Sequence, residues 1–174
     1  MQTTMSQPVV QPAIPLDMKE RAGKYLIFHL GVEEFGAEAL KVREIMGLQD
    51  ITGIPQVPDY VKGVINLRGR VIPVIDLRMK FGLAPHEYTA RTCIIVVLTQ
   101  QAGEDLMIGM IVDGVVEVLN LCAADLEQTP DFGPGVVTPY LTGMAKVKGK
   151  VKILLDIDEV LRSTELVGLN TLVQ

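Results

Sequence analysis

Side chains that could carry out catalysis are scarce in this sequence. Catalysis needs a nucleophile or an acid–base group with partners within hydrogen-bond reach, or several ligands around a metal ion. The 174 residues include two histidines, His29 and His86, and two cysteines, Cys93 and Cys122. None of the four lies in a His or Cys cluster with the spacing of metal ligands. We therefore predict a protein that is not an enzyme and that binds no metal and no cofactor.

The segment NLRGRV at Asn66–Val71 is the nearest candidate for a phosphate-binding loop. Such a loop connects a strand to a helix, whereas this segment passes directly into another apolar strand, which argues against phosphate binding. Two interpretations of its arginines, Arg68 and Arg70, remain open. They can form a solvated turn, or their guanidinium groups can bind a carboxylate or backbone carbonyls of a partner protein.

The composition limits the classes of partner. The net charge is −5, whereas nucleic-acid binding depends largely on cationic side chains that neutralise phosphates. A small-barrel nucleic-acid binder is the alternative from another class, but four Tyr, four Phe and no Trp offer few surfaces for base stacking. No apolar run reaches the length of a membrane span. We expect a cytoplasmic protein without membrane insertion, in which Cys93 and Cys122 do not form a disulfide framework.

From Lys24 onward, the apolar residues form short runs separated by Gly, Pro, Asp or Asn, a pattern typical of strands joined by turns. We predict strands at Tyr25–Leu30, Glu34–Ala37, Val64–Leu67, Val71–Ile75, Thr92–Leu98, Leu106–Val112, Val115–Leu119, Leu141–Val147 and Val151–Leu155. We predict helices at Met18–Ala22, Ala39–Met46, Leu77–Phe81, Ile157–Leu161 and Ser163–Thr171. The chain is therefore expected to be mainly β, with few helices.

An internal repeat indicates how these strands are organised. The segment GVINLRGRVIPVIDL at Gly63–Leu77 aligns without gaps on GMAKVKGKVKILLDI at Gly143–Ile157. Both segments predict a hairpin whose tip has a glycine between two cationic residues. Each hairpin runs into an aspartate, Asp76 or Asp156, whose side chain can cap a short helix. The repeat predicts two similar structural units.

The simplest architecture is all-β, with two small antiparallel barrels of about five strands each. One barrel is expected at about 24–83 and the other at about 91–161, and strand exchange between them is left open. Because a barrel of about 60 residues buries little surface alone, we expect the two barrels to pack on one another. Residues 1–23 are expected to form a mobile tail with a short helix, and residues 162–174 a C-terminal helix or tail.

Four motifs in the same order and spacing resemble the CheW-type chemotaxis coupling proteins. They are EEFGAEALKVREIMG at Glu33–Gly47, IPQVPDYVKGVINLRGRVIPVIDLRMKFG at Ile54–Gly82, IVDGVVEVL at Ile111–Leu119, and YLTGMAKVKGKVKILLDIDEVL at Tyr140–Leu161. The resemblance implies two SH3-like barrels and no enzymatic activity. It also implies a cytoplasmic protein that links chemoreceptor tips to the regulatory domain of the histidine kinase CheA, at receptor clusters on the inner face of the membrane.

The alternative within the same family is a coupling protein of a chemosensory-like system that controls pilus motility or gene expression. It would use the same barrels with a different receptor.

The resemblance also implies site residues. Val42, Glu44, Gly63 and Arg68 match positions that face the receptor tip. Val42 would provide apolar contact to a helix in a groove, Gly63 would permit close backbone approach, and Arg68 would form charge-assisted hydrogen bonds. Glu44 would orient Arg68 or face the receptor itself.

The kinase is expected to bind a separate apolar surface of the first barrel, formed by Ile51, Ile54 and Pro55. The similarity between the barrels offers the region around Tyr140 and Lys148 for joining further kinase or coupling-protein copies into arrays.

Overall fold

The computed structural model describes residues 21–134 and 138–162, and more than half of them belong to strands. The strands are β1 (Gly23–Leu30), β2 (Glu33–Glu38), β3 (Val42–Gly47), β4 (Val61–Leu67), β5 (Arg70–Asp76), β6 (Cys93–Gln101), β7 (Glu104–Val112), β8 (Gly114–Leu121), β9 (Leu126–Glu127), β10 (Leu141–Val147) and β11 (Lys150–Leu155). Two α-helices of one turn follow β5 and β11: α1 (Leu77–Lys80) and α2 (Ile157–Val160). Short 3₁₀ helices lie at Ala39–Lys41 and Ala123–Asp125.

The strands form two sheets, which confirms the predicted fold class. The six-stranded sheet has the order β8-β1-β2-β11-β10-β9, and the five-stranded sheet has the order β3-β6-β7-β5-β4. Neighbouring strands are antiparallel except at two places: β2 and β11 are parallel, and so are β5 and β7. The expectation of wholly antiparallel sheets therefore needs correction at these two places. At each of them a hairpin from one half of the chain meets the last hairpin of the other half.

The two halves of the chain exchange their first hairpins. The hairpin β1–β2 lies in the sheet that otherwise contains β8 to β11, and the hairpin β6–β7 lies in the sheet that otherwise contains β3 to β5. The boundaries expected near residues 83 and 91 thus separate the halves of the chain but not the sheets. The sheet topology therefore contains the strand exchange that the sequence left open.

The buried residues form three clusters. One lies between the two sheets, and each of the other two is formed by residues of a single sheet. Strand β1 shows how a continuous apolar run supplies two of these clusters. Its side chains alternate, so that Leu26 and Phe28 face the other sheet while Tyr25 and Ile27 face the opposite side. Strand β6 does the same, with Ile95 and its neighbours divided between the shared cluster and that of the five-stranded sheet. Because the two sheets share the largest cluster, neither sheet is expected to be stable without the other.

The predicted helices at Leu77–Phe81 and Ile157–Leu161 are confirmed as α1 and α2. Asp76 accepts a hydrogen bond from the backbone N–H of Met79 at 3.2 Å, and Asp156 accepts one from that of Glu159 at 3.3 Å. Both aspartates are therefore the helix caps that the repeat predicted.

The predicted helix at Ala39–Met46 is wrong. Only Ala39–Lys41 is helical, as a 3₁₀ turn, and the chain continues as β3. Val42 pairs with Val97 of β6, and Met46 packs into the cluster of the five-stranded sheet. Pairing with β6 therefore outweighs the helix propensity of the local sequence.

Two other expectations concern the chain ends. The helix expected at Met18–Ala22 begins outside the described residues, and the one at Ser163–Thr171 lies wholly outside them. In residues 21–134 and 138–162, no helix has the length and apolarity needed to cross a membrane.

Candidate protein-docking site

Strand β3 is an outer strand of the five-stranded sheet and carries two of the predicted site residues. A bulge against β6 lies between Val42 and Glu44, so that Val42 pairs with Val97 and Glu44 with Val96. Val42 is half-buried and packs against the cluster between the sheets. The Glu44 side chain is 26% exposed. An outer strand with half-buried apolar and acidic side chains is a surface on which another polypeptide can pack.

The tip of the β4–β5 hairpin brings Arg68 to the same surface. Arg68 and Gly69 have φ values of +51° and +85°, the left-handed conformation that a tight hairpin turn requires. The Asn66 side chain stabilises the turn by accepting a hydrogen bond from the backbone N–H of Gly69 at 2.8 Å. The Arg68 side chain is 75% exposed, and its Nη1 lies 2.6 Å from Oε1 of Glu44. The structure thus joins two predicted site residues in an ion pair.

This ion pair is suited to exchange of partners. An exposed pair contributes only about 0–1 kcal/mol to stability. A carboxylate of a second protein can therefore compete with Glu44 for the guanidinium group at little cost to the fold. The two interpretations of the hairpin tip both stay open, since the Arg68 guanidinium is 75% exposed and its carboxylate partner belongs to the same chain.

Gly63 has a role that the sequence did not reveal. Its φ is +138°, and a Cβ at this position would overlap the carbonyl oxygen of Thr52 and lie 2.7 Å from the carbonyl carbon. Thr52 and Val64 exchange two backbone hydrogen bonds of 2.9 Å each. The close backbone approach expected at Gly63 is therefore that of the chain's own Thr52. Gly63 is itself buried.

Residues on both sides of Thr52 anchor the segment Ile51–Pro55 to apolar clusters. Ile51 packs on the cluster of the five-stranded sheet, and Ile54 packs on the cluster between the sheets. Pro55 is exposed. Of the three residues expected at a kinase surface, two therefore anchor the segment while Pro55 faces outward.

The described residues include two free cysteines, of which Cys93 is half-buried and Cys122 is exposed. Residues 21–134 and 138–162 contain no group of three or more His, Cys, Asp or Glu side chains that could hold a metal ion. Burial raises the pKa of the Cys93 thiol, although a backbone hydrogen bond at Val115 opposes this effect. A raised pKa disfavours the nucleophilic thiolate.

Comparison with known proteins decides the family. The model of the CheW-like domain matches residues 24–165. The chemotaxis protein CheW of Klebsiella aerogenes is 42% identical over 143 residues, which cover 82% of this chain and 84% of that protein. The chemotaxis protein CheW of Rhizobium meliloti is 35% identical over 144 residues, which cover 82% of this chain and 90% of that protein.

The chain belongs to the CheW-like family. A solved structure agrees: the scaffolding protein TtCheW from Thermoanaerobacter tengcongensis superimposes with a TM-score of 0.71 at 31% identity, covering 83% of this chain and 95% of that chain. The fold is thus SH3-like, and the protein is a non-enzymatic scaffold of chemotaxis signalling.

A second apolar surface of this CheW-like chain was missed by sequence reasoning. It is a groove of about 290 Å³ lined by Phe35, Phe81, Leu83, Phe132, Tyr140, Leu141, Met144 and Ile153. Its rings form a continuous series, with centroids 6.0 Å apart between Phe35 and Phe81 and 5.8 Å apart between Phe81 and Tyr140. These residues come from separate segments, so no local pattern could have grouped them. Tyr140, expected near a contact between copies, lies in this groove.

Proposed function

We propose that this CheW-like chain couples the cytoplasmic tips of transmembrane chemoreceptors to the regulatory domain of the histidine kinase CheA. It binds each partner through a different surface and acts in the cytoplasm, at receptor clusters on the inner face of the membrane. The observation that carries this proposal is the exposed ion pair of Arg68 and Glu44 beside the half-buried Val42. Family membership supplies the biological setting.

The receptor face consists of Val42, Glu44 and Arg68, together with Gly63. Val42 offers an apolar contact to an amphipathic helix, and Arg68 can leave Glu44 to bind an acidic or carbonyl group of the receptor. Gly63 contributes by admitting the Thr52 backbone, which fixes the segment beside β4. The receptor therefore meets three side chains. Pairing of β3 with β6 positions Val42 and Glu44, and the β4–β5 hairpin positions Arg68.

The kinase face is the segment Ile51–Pro55. Ile51 and Ile54 hold the segment against two apolar clusters, and Pro55 is exposed for contact. Further copies of kinase or coupling protein would join at the repeat-related end of the molecule, around Tyr140 and Lys148. Holding receptor and kinase on one rigid body raises their effective concentration and lets small receptor movements reach the kinase.

Replacing Arg68 by glutamate tests the receptor face. Arg68→Glu places two acidic side chains together and should weaken binding of a receptor-tip fragment by roughly tenfold or more, because like charges at an interface cost several kcal/mol. Isothermal titration calorimetry would measure the affinity, and far-UV circular dichroism should be unchanged.

The matched control is Lys148→Glu. Lys148 has a φ of +53° at the equivalent position of the β10–β11 hairpin, so this variant makes the same change of charge at the other tip. It should leave receptor affinity unchanged. A folded Arg68→Glu protein that binds the receptor tip with wild-type affinity would remove Arg68 from the interface and contradict the proposed face.

A further inference from the structure

Two ion pairs join the halves of the chain at equivalent places, with their charges reversed. In the first, Nη1 of Arg78 on α1 lies 2.8 Å from Oδ2 of Asp113. In the second, Oδ2 of Asp158 on α2 lies 2.8 Å from Nζ of Lys41. We call them the Arg78–Asp113 clasp and the Lys41–Asp158 clasp. Each connects a helix at the end of one half with a residue of the other half.

Each clasp holds the residue that directly precedes an outer strand. Lys41 precedes β3, and Asp113 precedes β8. Strand β3 pairs with β6 alone, and β8 pairs with β1 alone, among the described strands. Because an outer strand has ladder hydrogen bonds on one side only, contacts at its ends contribute more to its position than they would in a central strand.

Asp158 is the more highly connected of the two carboxylates. Besides Lys41, its side chain accepts hydrogen bonds from the Thr99 hydroxyl at 2.8 Å and from the backbone N–H of Gln100 at 2.9 Å. The Gln101 side chain donates to the backbone oxygen of Asp158 at 3.0 Å and to the Thr99 hydroxyl at 2.9 Å. Thr99 is fully buried and Gln101 is 4% exposed. One carboxylate thus ties α2, the end of β6 and the start of β3 together.

The charge of Asp158 is stabilised by this arrangement. Partial burial acts to raise the pKa of the carboxyl group, but the hydrogen bonds from Lys41, Gln100 and Thr99, together with the charge of Lys41, outweigh it and lower the pKa. The aspartate is therefore ionised at neutral pH, and Lys41 has a persistent anionic partner.

We propose that Lys41 and Asp158 are positioning residues for the receptor face. The clasp fixes the first residue of β3, Val42, and through it Glu44 and its partner Arg68, relative to the second half of the molecule. Neither clasp residue touches the receptor in this account. The inference rests on the proposed function, because it assigns to the clasp the placement of the same surface.

The experiment uses the full chain with Asp158→Asn, which keeps the shape of the side chain and removes its charge. In the free protein, the backbone amide signals of Val42 and Glu44 should shift in NMR spectra, and the β3 amides should exchange with solvent faster. Affinity for the receptor tip should fall by about two- to thirtyfold, the range for residues that couple to a site without contacting it. Affinity for the CheA regulatory domain should stay within about twofold.

Two further variants separate positioning from loss of charge or of folding. Glu159→Gln removes the same charge from the neighbouring residue of α2, whose pair with Arg162 at 2.8 Å lies at the surface, and should change neither β3 nor receptor affinity. If Asp158→Asn proves too unstable, Lys41→Met, which retains the aliphatic stem, should give the same effects.

The outcomes distinguish this inference from the proposed function. Normal β3 signals, or normal receptor affinity in Asp158→Asn while Arg68→Glu is impaired, would overturn the inference and leave the receptor face standing. Normal affinity in both variants would overturn the receptor face itself. A loss in Asp158→Asn that Glu159→Gln reproduces would show an effect of net charge and would also overturn the inference.

Discussion

Gly63 shows how a single glycine permits a close backbone contact between two segments of the chain. Its left-handed φ and the adjacent Thr52 carbonyl leave no space for a side chain. We expect Gly63→Ala to lower the free energy of unfolding by about 1–3 kcal/mol, since the new methyl group must displace the Thr52 segment or strain the backbone. Urea denaturation followed by circular dichroism would measure the loss.

Gly47→Ala is the control for Gly63→Ala. Gly47 is exposed at the end of β3, its φ is not positive, and a Cβ there would have no atom within 4 Å. This variant should change stability by less than about 0.5 kcal/mol. Equal stability of the Gly63→Ala and Gly47→Ala proteins would show that the Thr52 contact does not require glycine.

The sequence could predict some of these residue roles but not others. Asp76 and Asp156 were identifiable as helix caps because the signal is local: an aspartate directly before a short apolar helix. The role of Gly63 depends on Thr52, which lies in a separate segment, and on a bridge that no spacing rule predicts. The pairing of Arg68 with Glu44 was one of the two roles that the family resemblance implied for Glu44, but no local spacing indicates it, because it depends on bringing the β4–β5 tip to β3.

At the scale of elements, the equivalent helices α1 and α2 should differ in how much their caps contribute. Asp76 is 4% exposed and accepts a second hydrogen bond, from the Tyr88 hydroxyl at 2.8 Å. Asp156 has its cap contact with the Glu159 N–H and is half-buried. We expect Asp156→Ala to lower the free energy of unfolding by about 0.5–2 kcal/mol. Asp76→Ala should cost roughly 1.5–3 kcal/mol more, because a hydrogen bond to a charged group is also lost.

Tyr88→Phe in both backgrounds separates the two contributions at Asp76. It should destabilise the wild-type protein and have little further effect once Asp76 is alanine. Chemical denaturation would supply all the values. Equal losses for Asp76→Ala and Asp156→Ala would mean that the Tyr88 hydrogen bond adds nothing to the cap.

Strand β3 was the element that sequence reasoning assigned wrongly. Ala39–Met46 contains good helix formers, and a helix was the local preference. In the structure, Val42 packs on the cluster between the sheets and Met46 on the cluster of the five-stranded sheet. The strand forms the edge of that sheet, and its neighbour, β6, lies far away in the sequence. Strand β9 was missed because it has two residues, too few for any pattern to indicate.

At the scale of the whole molecule, the repeat predicted two similar units but could not specify how the halves share their strands. Both halves place a similar apolar run in the first strand of their first hairpin, at Tyr25–Leu30 and Cys93–Leu98, so the apolar pattern does not specify which sheet each hairpin joins. The observed exchange gives each sheet strands from both halves. The reversed charges of the clasps suit this exchange: Arg78 meets Asp113 and Asp158 meets Lys41, whereas halves that kept their own hairpins would bring like charges near one another.

The exchange also bears on function. Because both sheets contain strands from both halves and share one apolar cluster, the molecule should behave as one rigid body. A rigid body suits a scaffold, since a force applied at one surface reaches the other without being absorbed by a hinge. The bridge between Thr52 and Val64 ties the proposed kinase segment at Ile51–Pro55 to β4, and the β4–β5 hairpin carries Arg68 of the proposed receptor face.

The central claim is that one molecule of this chain holds a receptor and a kinase at the same time, and a bridging assay tests it most directly. A receptor-tip fragment would be immobilised, and retention of the CheA regulatory domain would be measured with and without the chain. We predict retention that depends on the chain and that Arg68→Glu abolishes, although that variant still binds the CheA domain in solution. If the receptor tip and the CheA domain instead compete for the chain, so that no ternary complex forms, the account is contradicted.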